Sequence, residues 1–284
     1  MPPISLTECP RDAMQGLTRF IPTADKIRYL NALLQVGFDT LDFGSFVSPK
    51  AVPQMRDTAD VLAGLDLTQT STKLLAIVAN QRGAEQAVSY EPIRYVGFPL
   101  SVSETFQQRN TNKSVAEALR DVDAMHRLCQ QADKELVVYL SMGFGNPYGD
   151  AYSPELVVEY ATRLAGMGIR HLIPSDTIGT ATPEAIEALF FALSDALPHH
   201  AFGAHLHARP GETAAKVTAA VQAGVRRLDG AIGGLGGCPM ATDTLTGNLP
   251  TEEIVATLQA LNQSVRLSLD RLADAVRLSR EVLG

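Results

Sequence analysis

The 284-residue sequence has no tryptophan, few aromatic residues of any kind and only three cysteines, Cys9, Cys129 and Cys238. They are odd in number and widely spaced, which excludes a zinc knuckle or a disulfide framework and fits a reducing, cytoplasmic setting. No uninterrupted apolar run approaches the roughly 20 residues that span a bilayer. No charged-then-apolar leader precedes the first strand-like segment, so neither a membrane protein nor a secreted one is expected. An excess of positive charge is missing as well: the formal net charge of −7 gives no overall electrostatic reason to bind nucleic acid or an anionic membrane. Pro/Ser-rich linkers and low-complexity tracts are also absent, which leads us to expect one domain over residues 1–284.

What is present is an alternation of short β-rich runs with longer helical patterns. The strand candidates are 4–8, 39–43, 73–78, 93–98, 136–142, 169–175, 201–207 and 225–231. Helical stretches include 23–36, 114–132, 153–167 and 211–224, several opening on a Ser or Thr placed to cap them and closing on Gly. Eight βα units in this length match a TIM (β/α)8 barrel over about 4–262 better than a doubly wound sheet. Residues 268–283 then form an extra C-terminal helix in an extension over about 266–284.

Barrel chemistry sits at the carboxyl ends of the strands, which selects the polar residues there. Arg11 and Asp12 follow the first strand. Asp42, Ser45 and Lys50 follow the second and are expected on one face. In "HLH" the residues His205 and His207 alternate with Leu206 and project to the same side of an extended chain, a ready pair of metal ligands. Asp12 and Asn248 are the plausible oxygen donors to complete an N/O set, which suits Mg²⁺ or Mn²⁺ better than Zn²⁺. His199 and His200 fall in a turn and His126 and His171 in element interiors, where structural roles are expected. Asp176 follows the sixth strand; Thr182 serves better as the cap of the next helix, which leaves Asp176 free for a polar site.

The stretch "GGLGGCPMATDTLTGN" (233–248) crowds glycines around Cys238. Glycines let a backbone turn tightly and approach a ligand closely, so the stretch reads as a mobile loop carrying a reactive thiol.

The motifs "PRDAMQ", "SFVSPKAVPQM", "SETFQQRNTN", "SDTIGTATP", "HLH" and "GGLGGCP…TGNLPTE" occur in this order. In them the chain resembles the 3-hydroxy-3-methylglutaryl-CoA lyases of the DRE-TIM metallolyase superfamily, from about residue 5 to 260. The resemblance implies a divalent metal held by Asp12, His205, His207 and Asn248, and an acyl-CoA partner in a homo-oligomer, a dimer. It implies catalytic roles for Cys238, Arg11, Asp12, His205, Asp176 and Asp42, with Arg11 and Ser45 binding substrate. Arg11 matches the arginine that holds the acyl-CoA carbonyl, and Cys238 matches the cysteine whose loop closes over the substrate. Asp42 stands for a family glutamate, and Asp176 for an aspartate in the cavity. The reaction implied is retro-Claisen cleavage of a 3-hydroxy-3-methylacyl thioester.

The chain departs from the family pattern at Thr7, at Asn146-Pro147-Tyr148, and at Ala208, Arg209 and Met240, three positions expected at the cavity mouth. A metal-dependent aldolase or Claisen synthase on the same barrel is the alternative; it would keep Arg11, Asp12 and the histidines but has no need of Cys238. A non-catalytic barrel should have lost one of these residues, and none is missing.

Overall fold

The computed structural model describes residues 3–237 and 246–284. Eight parallel strands close on themselves in sequence order: β1 (Ser5–Glu8), β2 (Thr40–Ser45), β3 (Lys73–Ile77), β4 (Ile93–Ser101), β5 (Glu135–Ser141), β6 (His171–Asp176), β7 (Gly203–Leu206) and β8 (Arg227–Gly230). This is a TIM barrel, with every expected strand at its expected place. Its helices are α1 (Pro10–Gln15), α2 (Thr23–Leu34), α3 (Thr58–Ala63), α4 (Gln81–Val88), α5 (Glu104–Thr111), α6 (Val115–Gln131), α7 (Pro154–Gly166), α8 (Pro183–Ala196), α9 (Thr213–Gln222), α10 (Thr251–Ala260) and the C-terminal α11 (Leu269–Val282).

Local chemistry starts several helices as the sequence suggests. Ser114, Ser153, Thr182 and Ser268 each accept an N–H of the first turn on the side-chain oxygen, and Ser114 forms a full capping box with Glu117. Such caps satisfy donors that have no partner inside the helix. α11 packs beside α2, where Arg19 donates to the Val282 carbonyl at 3.0 Å. Among the described residues no helix is long and apolar enough to cross a membrane.

Strands covered on both faces read as near-continuous apolar runs, as β5 does. Leu74, Ala76, Val138, Leu140, Leu172, Ala204 and Leu206 face the helices and build the main core. The opposite faces fill the barrel, and they do so unevenly. Leu75, Ile77, Val137, Tyr139 and Ile173 form an apolar cluster inside β3 to β6. On the β7–β8–β1–β2 side the inward register positions hold His205, Arg227, Asp229, Thr7 and Asp42. Barrel interiors are usually packed with branched aliphatic residues, so this polar half calls for a reason.

Glu8 locks the seam between the last and first strands from outside. Its carboxyl accepts the Ile232 N–H at 2.9 Å and the Thr251 hydroxyl at 2.5 Å. Burial outweighs these bonds and raises its pKa from 4.5 to about 8. In the native chain Glu8 therefore holds its proton up to about pH 8, whereas the unfolded chain releases it near 4.5. Its contribution to stability is complete below the lower value and is lost as pH rises to the upper one. Glu8→Gln, which is neutral throughout, should flatten the fall in urea-unfolding stability between pH 5 and 8.5; parallel curves for the two proteins would refute this account.

Candidate active site

The site begins where β1 ends. Pro10 opens α1 without needing to donate an N–H, and the short helix presents Arg11 and Asp12 together, both buried. Arg11 Nη2 lies 2.5 Å from Asp42 Oδ2, and Nε is 3.0 Å from the same oxygen. Its Nη1 donates to Asp12 Oδ1 and to Gln15 Oε1, each at 2.9 Å. Gln15 in turn donates to Asp12 Oδ1 at 2.6 Å. Burial works against the Asp12 carboxylate, yet Arg11 and the two imidazoles of His205 and His207 outweigh it and hold the pKa at about 2. Asp42 is different: burial dominates, and its pKa stands at about 6 despite Arg11.

β7 supplies two imidazoles. His205 Nε2 and His207 Nε2 face each other at 3.2 Å. Burial and then the neighbouring His205 push the His207 pKa down to about 3, so this imidazole is neutral and offers a lone pair. After the glycine-rich stretch the chain returns alongside β7: Ala208 N–H donates to the Gly247 carbonyl at 3.0 Å, and His207 pairs with Asn248 in an antiparallel bridge. Asn248 Nδ2 then donates to Asp12 Oδ2 at 2.6 Å and to the Leu235 carbonyl at 2.8 Å. Its Oδ1 is buried and, among the described residues, has no hydrogen-bond partner. Asp12, His205 and His207 offer ligand atoms all within 4.8 Å of one another. A free amide oxygen beside two imidazoles and a carboxylate is a donor set that fits a divalent cation.

The glycines before Cys238 are needed where they stand. Gly236 has φ +99°, and a Cβ there would lie 2.7 Å from Asn248 Nδ2 and 2.9 Å from Asp12 Oδ2. The Gly237 N–H points to the same Asp12 oxygen at 3.4 Å. The run therefore docks its backbone onto the ligand cluster, which only a residue without a side chain permits. Cys238 and Met240 lie outside the described residues.

The expected residues are not all brought together. Ser45 reaches the interior only because a bulge shifts the β2 register between Asp42 and Gly44, so Asp42 pairs with Leu75 and Ser45 with Ile77, both inward residues. Ser45 Oγ accepts the Val47 N–H at 3.3 Å. Lys50 does not share this face; it is exposed in the following loop. Asp176 must also be corrected. Ser175, not Asp176, pairs with the inward His205, and Asp176 turns outward with Leu206. Its carboxylate is spent on the Thr180 and Ala181 N–H groups at 2.9 and 3.0 Å and on Lys216 Nζ at 3.0 Å. Lys216, from α9, also donates to the His207 carbonyl at 2.7 Å. Asp176 thus braces His207 through Lys216 instead of standing free in the cavity. Ala208 is buried in the core instead of lining a mouth, and Arg209 is exposed. Of the remaining histidines, His171 pairs with Glu135 at 2.9 Å.

Sequence reasoning missed Gln15, Lys216, Arg227 and Asp229. Gln15 was within reach, because it follows Asp12 by three residues on one helix face. Asp229 and Arg227 share the alternation of a strand whose neighbour is β7, a relation visible only after the barrel is closed.

The HMGL-like family profile matches residues 4–278. The hydroxymethylglutaryl-CoA lyase of Bacillus subtilis is 36% identical over 275 residues, covering 97% of this chain and 91% of that one. A 3-hydroxy-3-isohexenylglutaryl-CoA/hydroxymethylglutaryl-CoA lyase of Pseudomonas aeruginosa is 33% identical over the same shares. Among solved structures, an HMG-CoA lyase of Acinetobacter baumannii in complex with coenzyme A and 3-methylmalate superposes with a TM-score of 0.91 at 29% identity, covering 99% of this chain and 91% of that one. With this match over nearly its full length, the chain belongs to the HMGL-like family that its motifs resemble.

Proposed function

We propose that the chain, acting as one domain, is a carbon–carbon lyase that cleaves a 3-hydroxy-3-methylacyl-CoA thioester by a retro-Claisen reaction. The substrate of reference is 3-hydroxy-3-methylglutaryl-CoA, giving acetyl-CoA and acetoacetate. The observation that carries this reading is the convergence of Arg11, Asp12, His205, His207 and Asn248 at the carboxyl end of the barrel, under the glycine run that leads to Cys238. The hydroxymethylglutaryl-CoA lyase of Bacillus subtilis matches 97% of the chain, and one matching structure holds coenzyme A.

In this reading Asp12, His205, His207 and Asn248 hold a divalent ion, Mg²⁺ or Mn²⁺ before Zn²⁺ on the strength of the mixed N/O donors. Such an ion, when bound, lowers the pKa of a hydroxyl and offsets negative charge on oxygens beside it. The C3 hydroxyl gives its proton to solvent, the O–H electrons form the ketone, the C2–C3 bond breaks, and the pair of that bond passes into the thioester enolate. Arg11 meets the negative charge that develops on the thioester oxygen. Asp42 fixes the guanidinium from one side, and Asp12 and Gln15 take its Nη1 protons; one Nη2 proton remains for the substrate. A donor held in place before the reaction costs no reorganisation when the charge appears. Cys238 returns a proton to the enolate carbon, which completes the acetyl thioester.

The direct test is an assay of the purified protein on a panel of 3-hydroxy-3-alkyl acyl-CoA thioesters, with and without Mg²⁺ or Mn²⁺. Cleavage should stop in chelator and return with the ion, and His207→Ala should weaken Mn²⁺ binding at least tenfold. Full turnover in chelator would sink the reading. Cys238→Ala should lower kcat by roughly 10²–10⁴-fold, the range of a positioned acid or base, and leave Mn²⁺ affinity unchanged; a loss under threefold would assign the thiol a structural role. Gly236→Ala, which forces a Cβ onto Asn248 and Asp12, should weaken Mn²⁺ binding, and an unaltered Mn²⁺ isotherm would contradict the docked geometry.

A further inference from the structure

The polar half of the barrel interior has a use. Directly beneath the ligand cluster lies Asp229, its side chain wholly buried and opposite both Thr7 and His205 in the strand register. Asp229 Oδ2 is 3.3 Å from His205 Nδ1. A carboxylate only accepts, so the proton of that bond belongs to Nδ1. The lone pair of a neutral His205 is then on Nε2, the atom that faces His207 Nε2 at 3.2 Å.

Asp229 is itself supported. Arg227 Nε lies 3.5 Å from Asp229 Oδ1 and donates to Thr7 Oγ1 at 3.1 Å, which ties β8 to β1. Its guanidinium lies against the Tyr95 ring, 6.0 Å from the centroid. The Tyr139 ring stands edge-on to the His205 imidazole, 5.7 Å between centroids, and restricts its rotation.

We infer that Asp229, backed by Arg227, is the positioning residue that fixes His205 as the Nδ1–H tautomer and aims its Nε2 at the ion. A carboxylate behind a ligating imidazole sets both the tautomer and the ring orientation. The inference rests on the reading of His205 as a ligand, and two separate measurements keep the two claims apart.

The tautomer is read without any ion or activity. In chelator-treated protein labelled with ¹⁵N-histidine, at a pH where the imidazoles are neutral, two-bond ¹H–¹⁵N spectra should show His205 as Nδ1–H, the signal being identified by its loss in His205→Ala. Asp229→Asn should move it toward Nε2–H, because an amide NH₂ can donate to Nδ1 and select the other tautomer. The same variant should weaken Mn²⁺ binding roughly 10- to 100-fold, and Asp229→Glu should restore the Nδ1–H signal. A wild-type His205 found as Nε2–H overturns the inference even if Asp229→Asn fails to fold. An Asp229→Asn protein with the wild-type tautomer and Mn²⁺ affinity overturns it as well. If His205→Ala binds Mn²⁺ as tightly as wild type, it is the ligand assignment that fails, independently of the tautomer.

Discussion

The parallel pairing of β1 with β8 is the constraint on which the rest of the site depends. It closes the barrel and brings Thr7 opposite Asp229 across more than two hundred residues of chain. With that register in place, α1 delivers Arg11 and Asp12 beside the returning segment that carries Asn248. Neither segment contains a complete site, and no local feature of either would hold the two together. Glu8 reinforces the seam on its outer side through Ile232 and Thr251, next to the start of the glycine run.

Charge is then buried in compensated groups. Arg11 answers Asp42 and Asp12, Arg227 answers Asp229, and Lys216 answers Asp176. Removing one member of a buried pair costs about 3–5 kcal/mol, because the survivor is left uncompensated in a poor solvent for charge. A well-packed apolar core would be at least as stable, so these groups are better explained by what they hold in place. Arg11 is fixed by Asp42, Asp12 and Gln15, His205 meets Asp229 from below, and the carbonyl of His207 is gripped by Lys216. The apolar side of the interior, around Val137, Ile173 and Leu75, provides the rigid wall against which the polar side is set.

Much of this was legible in the sequence. The β/α alternation determined the barrel, since eight short β-rich runs alternate with longer helical patterns over this length. The spacing of His205 and His207 determined that they share a side, and the proline and serine placements determined where several helices begin. The glycine-rich run signalled a close backbone approach, although the partners of that approach, Asp12 and Asn248, come from the two ends of the chain. Which polar residue of a strand end turns inward was decided only by the tertiary structure. A bulge in β2 brings Ser45 in alongside Asp42, and the β6–β7 register turns Asp176 out toward Lys216, although it directly follows the inward Ser175. Asp229 and Arg227 gain their meaning from neighbours on β7 and β1. The physical reason is that a strand's side-chain period is two, so a one-residue shift exchanges the faces, and such shifts are settled by pairing between strands and not by the residues of either strand alone.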